Sequence, residues 1–123
     1  MNVIALAALV LVGASALTAQ EPVYKAGEDG VKHPQVVYEK KPAYTAEAMR
    51  KKIQGSVEVE AIVDKKGKPT EVKILKSLDS EYGLDKQAVE AVKDWRFKPG
   101  TKDGRAVATK IKIELTFTLR DRK

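Results

Sequence analysis

The sequence contains no cysteine and only one histidine among its 123 residues. The absence of cysteine excludes disulfides, thiolate catalysis and zinc–thiolate sites, and a single histidine excludes a multi-histidine metal centre. The order of residues contains neither a nucleophile–base pairing nor a glycine-rich phosphate loop. We therefore expect no catalytic residue, no metal site and no cofactor, and we predict that the protein is not an enzyme.

Charged residues are missing from positions 1–19, although 33% of the whole sequence is charged. Val3 to Val12 is an unbroken apolar run, and Ala14-Ser15-Ala16 fits the small-x-small rule for a cleavage site. Residues 1–19 are therefore predicted to be a signal peptide or, alternatively, an uncleaved membrane anchor. Both interpretations place the remaining chain outside the cytoplasm, where nucleic acid is not an expected partner despite the net charge of +6.

The polar part of the chain divides into a linker and one domain. Residues 20–35 contain Gly27, Gly30 and Pro34 without apolar periodicity, which predicts a short linker. Residues 36–120 are predicted to form the domain. Within it, Thr45 caps a short helix from Ala46 to about Ile53, and an apolar stripe from Leu84 to Trp95 predicts a second helix.

Strict alternation of apolar and polar residues predicts three strands in the domain. The first contains Val57 to Val63, the chain turns at Asp64–Gly67 and returns through Val72 and Ile74, and the last strand ends near Leu119. The order helix, strand, strand, helix, strand predicts an α+β fold with two helices packed on one face of a three-stranded antiparallel sheet. Such a sheet must leave edges, but alternation does not decide whether the long last strand is one of them.

A set of short motifs occurs in a fixed order along this domain. The motifs are Pro42-x-Tyr44-Thr45-x-x-Ala48, Gly55-x-Val57, Leu84-Asp85-x-x-Ala88, Trp95-Arg96-Phe97-x-Pro99-Gly100 and a final Gly104. Over about residues 36–119 the chain resembles the carboxy-terminal domain of the TonB energy-transducer family, in a short, stand-alone form. Thr45 stands where the family usually has proline after the tyrosine.

The resemblance implies a periplasmic domain that binds the box peptide of outer-membrane receptors, with the peptide paired to the last strand. The implied contact residues lie on that strand and before the tyrosine motif: Lys110, Lys112, Glu114, Thr116 and Thr118, and Glu39, Lys40, Lys41 and Pro42. The implied structural residues are Tyr44, Gly55, Trp95, Arg96, Phe97 and Pro99.

Two features differ from full-length transducers. The chain has only five prolines, too few for a long proline-rich spacer, and the apolar segment lacks the histidine that motor-coupled transducers carry. Contact with inner-membrane motor proteins is therefore expected only if residues 1–19 are retained.

Two functions remain open. The first is a peptide-binding module that could serve energy-dependent transport. The second is a soluble structural or assembly module that forms a homodimer through its edge strand or contacts the cell wall. In either case, a proline at Ile113 is expected to abolish pairing along the last strand.

Overall fold

The computed structural model describes residues 22–119, so the predicted signal peptide or anchor lies outside the described residues. The elements in chain order are β1 (Val23–Lys25), β2 (Val31–Lys32), β3 (Gln35–Tyr38), α1 (Ala46–Arg50), β4 (Gly55–Val63), β5 (Pro69–Lys76), α2 (Leu84–Lys93), β6 (Arg96–Lys98), β7 (Gly100–Lys102) and β8 (Arg105–Phe117). Neither α1 nor α2 is long and apolar enough to cross a bilayer, and the described part of the chain contains no other candidate.

Strands β4 and β8 form the centre of the larger sheet. They run antiparallel from the pair Gly55 and Phe117 to the pair Val63 and Thr109. β5 pairs antiparallel with the other edge of β4, β7 forms a hairpin with the start of β8, and β2 pairs with β7. β1 runs parallel to β8, and β3 and β6 form a separate antiparallel pair.

Within residues 22–119 the expected three-stranded sheet is corrected to eight strands in two sheets, although the α+β class with two helices is confirmed. The three predicted strands correspond to β4, β5 and β8. The other five strands have two to four residues. A segment of that length is too short to show a period of two, so its pairing depends on which backbone lies beside it. Residues 20–35, expected to form an irregular linker, contribute β1 and β2 to the sheet.

The core lies on one face of the larger sheet. Alternate residues of β4, from Val57 to Val63, are fully buried, and Leu115 and Phe117 of β8 are nearly so. The buried side chains of both helices belong to the same cluster: Ala48, Leu84, Ala88, Ala91 and Val92. Both helices therefore cover the same face, and the opposite face of β8 carries exposed charged residues.

Thr45 joins the starts of the two helical regions. Its hydroxyl accepts a hydrogen bond from the Ala48 amide (3.2 Å) and donates one to the Tyr82 carbonyl (2.8 Å). The first contact caps α1, as the sequence predicts. The second attaches α1 to the loop that precedes α2.

Two buried carboxylates organise that loop. The Asp85 carboxylate accepts hydrogen bonds from the Leu78 and Asp79 amides (3.0 Å each) and from the Ser77 hydroxyl. Asp79 in turn accepts from three amides of the loop and the start of α2, those of Glu81, Tyr82 and Leu84. Because Gly83 at the N-cap position makes no side-chain cap, these aspartates satisfy amides that would otherwise lack partners.

The Asp85→Asn variant is expected to lose about 1–3 kcal/mol of unfolding free energy at neutral pH, because a hydrogen-bonded buried charge is removed. Burial of Asp85 raises its pKa. The hydrogen bonds from Ser77, Asp79 and Leu78 together lower the pKa by more than burial raises it, so the net pKa lies below the ordinary value. Since the folded pKa is depressed, this stabilisation is present above the unfolded pKa of about 4 and is lost as the pH falls through the folded pKa. Urea unfolding at neutral and acidic pH measures both effects.

The exposed Glu90 provides the control for this measurement, because within residues 22–119 its carboxylate pairs only with the exposed Lys93 ammonium. Glu90→Gln is expected to retain the acid-dependent loss of stability seen in the parent protein. An Asp85→Asn protein with the same stability and the same pH dependence as the parent would contradict the assigned role.

Candidate functional site

One edge of β8 is only partly covered by the rest of the fold. Lys110 pairs with Lys25 of β1 and also with Ile62 of β4, so these two strands lie on opposite edges of β8. Beyond Lys110, β8 pairs only with β4 among residues 22–119. We call the side of Ile111–Phe117 that faces away from β4 the open edge.

The backbone groups that face the open edge can be assigned from one hydrogen bond. The Lys110 carbonyl accepts from the Ala26 amide (3.4 Å), so the backbone of Lys110 faces β1 and points away from β4. In an antiparallel strand the N–H and C=O of a residue share one edge, and the edge alternates from residue to residue. The backbone groups of Lys112, Glu114 and Thr116 therefore face the open edge.

The side chains expected to contact a partner follow the outer face of β8, but they are not equally available. Lys112 and Glu114 are exposed, and neither makes a side-chain hydrogen bond or ion pair within the described residues. Lys110 is half-buried. The two threonines are engaged on the β4 side: the Thr116 hydroxyl shares a hydrogen bond with the Ser56 hydroxyl (3.0 Å), and the Thr118 hydroxyl donates to the side-chain amide oxygen of Gln54 (3.3 Å).

The carboxyl end of the open edge is supported by Tyr44. Its ring packs edge-on against Phe117 with centroids 5.4 Å apart, and its hydroxyl donates to the Ile53 carbonyl. Ile113 and Leu115 are buried on the same face. The strand behind the open edge is therefore held by the core, and it presents its backbone groups on a fixed support.

The second expected contact region, Glu39–Pro42, is attached to α2. The Lys40 carbonyl accepts a hydrogen bond from the Trp95 indole (2.9 Å), and the Lys40 ammonium pairs with Asp94 (3.0 Å). The Asp94 carboxylate raises the pKa of Lys40. Glu39 and Lys41 are exposed and Pro42 is half-buried. The hydrogen bonds that hold this region therefore lead to the end of α2 rather than to the open edge.

The remaining expected structural residues connect α2 to the sheet. Trp95 and Phe97 are buried in the core, and the Arg96 guanidinium donates to the carbonyls of Lys93 (3.1 Å) and Trp95 (2.6 Å) at the end of α2. Pro99 lies between β6 and β7. Gly55 begins β4 where an added Cβ would lie 2.7 Å from Leu78 Cδ1.

Two features of this region were not predicted from the sequence. The first is the role of Asp79, which accepts from the amides two and three residues further on, the local pattern of an Asx turn. The second is the parallel pairing of residues 23–25 with β8, because a strand pair of only three residues has no characteristic residue pattern. Within residues 22–119, no three histidine or carboxylate side chains converge as a possible metal site.

The family model of the Gram-negative bacterial TonB protein C-terminal region matches residues 40–119. The chain belongs to the TonB C-terminal family. The match confirms the resemblance seen in the sequence, and it begins after β3, so β1, β2 and β3 precede the matched range.

Two TonB proteins illustrate the relationship. Protein TonB of Vibrio cholerae is 37% identical over 78 residues, which are 63% of this chain and 32% of that protein. Protein TonB of Xanthomonas campestris pv. campestris is 32% identical over 78 residues, which are 63% of this chain and 34% of that protein. The chain thus spans about a third of the length of the curated relatives it matches.

A solved TonB domain shows the same fold. The solution NMR structure of the Pseudomonas aeruginosa TonB CTD superposes with a TM-score of 0.59 and 21% identity, and the match covers 84% of this chain and 100% of that one. At this level of identity the likeness establishes the architecture alone.

Proposed function

We propose that this TonB C-terminal domain binds an extended amino-terminal segment of a TonB-dependent outer-membrane receptor by strand addition along the open edge. The observation that carries the proposal is the row of backbone groups of Lys112, Glu114 and Thr116, which face an edge without a strand partner in the described structure. A guest strand supplies the missing hydrogen bonds, and alternate side chains of the guest meet the outer face of β8. In this role the domain is a binding module and not an enzyme.

The charges along the open edge allow it to discriminate among guests. Lys112 and Glu114 are exposed and lie two residues apart on the same face. A guest residue beside Lys112 gains from a negative charge, and a guest residue beside Glu114 gains from a positive one, by amounts of about 0.2–1 kcal/mol per pair. Backbone pairing therefore provides much of the affinity, and these two side chains adjust the choice of segment.

The same charges disfavour the alternative, a homodimer through this edge. The open edge extends from Ile111 to Phe117, so its midpoint is Glu114. Antiparallel pairing of two copies with full overlap places Glu114 opposite Glu114 of the second copy. Like charges directly opposite each other destabilise a strand pair, which favours a guest of different sequence over a second copy.

The proposal includes the cellular setting. The domain acts in the periplasm, and its binding of a receptor contributes to energy-dependent transport across the envelope. Residues 1–19, if retained, anchor it to the inner membrane and bring it to the motor proteins. Amino-terminal sequencing of the mature protein tests this part of the proposal separately from peptide binding.

Amide hydrogen exchange followed by NMR tests the proposed contact residue by residue. In the free protein, the amides of Lys112, Glu114 and Thr116 are expected to exchange rapidly, whereas those of Ile111, Ile113 and Leu115 are protected by β4. A synthetic receptor box peptide is expected to slow exchange of the first set by about tenfold or more and to leave the second set unchanged.

Two results would contradict the proposal. Unchanged signals for all six residues at saturating peptide would exclude binding at this edge. Protection of all six amides without peptide, together with a dimeric mass in analytical ultracentrifugation, would favour self-association.

A further inference from the structure

The edge of β8 that carries the proposed binding site is already shared with a segment of the chain itself. We call residues 22–26, which contain β1, the arm. The arm pairs with Ala108–Lys110, and the open edge starts at the next residue, Ile111. Without the arm, the edge available on this side would extend from Ala108 to Phe117. The arm therefore lies in line with any strand added to the open edge.

The arm is held by few interactions. Its pairing has three residues and is parallel, the geometry that is slightly less stable per residue. Its last hydrogen bond, from the Ala26 amide to the Lys110 carbonyl, is long at 3.4 Å. Val23 is 44% exposed. Within the described residues the Tyr24 ring makes one cation–π contact, with the Lys102 ammonium 5.5 Å from the ring centroid. No residue of the arm belongs to the hydrophobic core cluster, so detachment of the arm leaves that cluster in place.

A groove separates the end of the arm from the outer face of the sheet. Its volume is about 690 Å³. Its walls come from the arm and the following turn, and from β4, β5 and β8: Lys25, Glu28 and His33, and Glu60, Leu75 and Lys112. Side chains of the arm and the sheet thus do not interdigitate here, which removes the packing that would otherwise hold the arm in place.

The chain that follows the arm is anchored independently. Val31 in β2 is only 4% exposed, and β2 pairs with β7. The turn between the arm and β2 is closed by two hydrogen bonds of 2.9 Å. The Gly27 amide donates to the Val31 carbonyl, and the Val31 amide donates to the Glu28 carbonyl. Detachment of the arm can therefore stop at this turn and leave the rest of the fold intact.

We infer that the arm is a displaceable stop that sets the length of segment the edge accepts. The inference rests on the proposed strand addition. A guest of about seven residues fits beside the arm on Ile111–Phe117, whereas a guest of about ten residues must displace the arm to reach Ala108. Because the arm is tethered to the domain, its high effective concentration lets a weak pairing compete with a free peptide. The apparent affinity for long guests equals the intrinsic affinity multiplied by the fraction of molecules in which the arm is detached.

A proline scan of the arm tests this inference. The Ala26 amide faces β8, so by alternation the Tyr24 amide faces β8 and the Val23 amide faces away. Tyr24→Pro removes a hydrogen bond that holds the arm, whereas Val23→Pro, the matched control, removes none. Tyr24→Ala keeps the amide and reports the loss of the ring alone. Calorimetry measures the binding of two receptor box peptides, of about seven and about ten residues, to the full chain and to each variant.

Tyr24→Pro is expected to bind the longer peptide about three- to tenfold more tightly than the parent does, with no change for the shorter one. Val23→Pro is expected to match the parent with both peptides. Equal changes for both lengths, or no change for either, would overturn the role of the arm while leaving strand addition intact. Failure of both peptides to bind any of the proteins would overturn strand addition and, with it, this inference.

Discussion

Replacing Glu114 with proline is expected to abolish binding of an extended receptor segment while the domain remains folded. The Glu114 amide faces the middle of the open edge, so proline removes the central donor and places its ring in the path of the guest strand. The hydrogen bonds between β4 and β8 are donated and accepted by the alternate residues and are retained. We expect the affinity for a receptor box peptide to fall by roughly 30-fold or more, equivalent to about 2 kcal/mol.

Two further variants make this prediction specific. Glu114→Ala keeps the amide and should change the affinity by no more than about fivefold, the equivalent of about 1 kcal/mol. Ile113→Pro is expected to unfold the domain, because the Ile113 amide faces β4 and its side chain is buried. The sequence-based expectation that proline at Ile113 tests the open edge is therefore corrected, and the position that tests it is the next residue, Glu114. A folded Glu114→Pro protein with normal peptide affinity would exclude the open edge as the contact.

Replacing Gly67 with alanine is expected to cause the largest loss of stability, about 3–5 kcal/mol. Gly67 has a φ of +86°, and an added Cβ would lie 1.8 Å from the Phe97 carbonyl oxygen. The Gly67 carbonyl also accepts a hydrogen bond from the Phe97 amide (2.9 Å), which keeps the two backbones together. The turn cannot move aside, because Asp64 accepts hydrogen bonds from the amides of Lys66 and Lys68.

Gly104 offers a matched control for this substitution. It has a similar φ of +79°, but apart from Gly104 itself and its two neighbours in the chain, no residue has an atom within 4 Å of the position of an added Cβ. Gly104→Ala is therefore expected to lose only the conformational term, about 1–2 kcal/mol. Urea unfolding of both variants measures the difference, which reports the clash with Phe97. Equal losses in the two variants would show that β6 is not held against the Asp64–Gly67 turn.

The long elements were predictable from the sequence because each buries a periodic row of side chains. Val57, Val59, Ala61 and Val63 alternate in β4 and are all fully buried, and the apolar stripe of α2 includes Leu84 and other core residues. The boundaries were less predictable. α1 ends at Arg50 rather than near Ile53, since Lys52 adopts a positive φ of 55°. A single residue with an unusual backbone conformation does not change the spacing of apolar residues, so this spacing does not show where the helix ends.

The candidate site was predictable in part. The outward row of β8 follows from alternation, and two of its residues, Lys112 and Glu114, are exposed. The engagement of Thr116 by Ser56 depends on the register between β4 and β8, and the attachment of Lys40 to Trp95 joins residues 55 positions apart. Contacts between distant segments of this kind arise only when the chain has folded.

The sequence by itself determined which residues face the core, because apolar period and burial are tied by the hydrophobic effect. It also determined the family, because residues 40–119 match the family model. Only the tertiary structure decided which edge of β8 is open and how far the arm covers it. Strand pairing uses N–H and C=O groups that nearly every residue possesses. The amino-acid identities in β1 and β8 therefore do not indicate that these two strands pair, and the pairing is seen only in the folded structure.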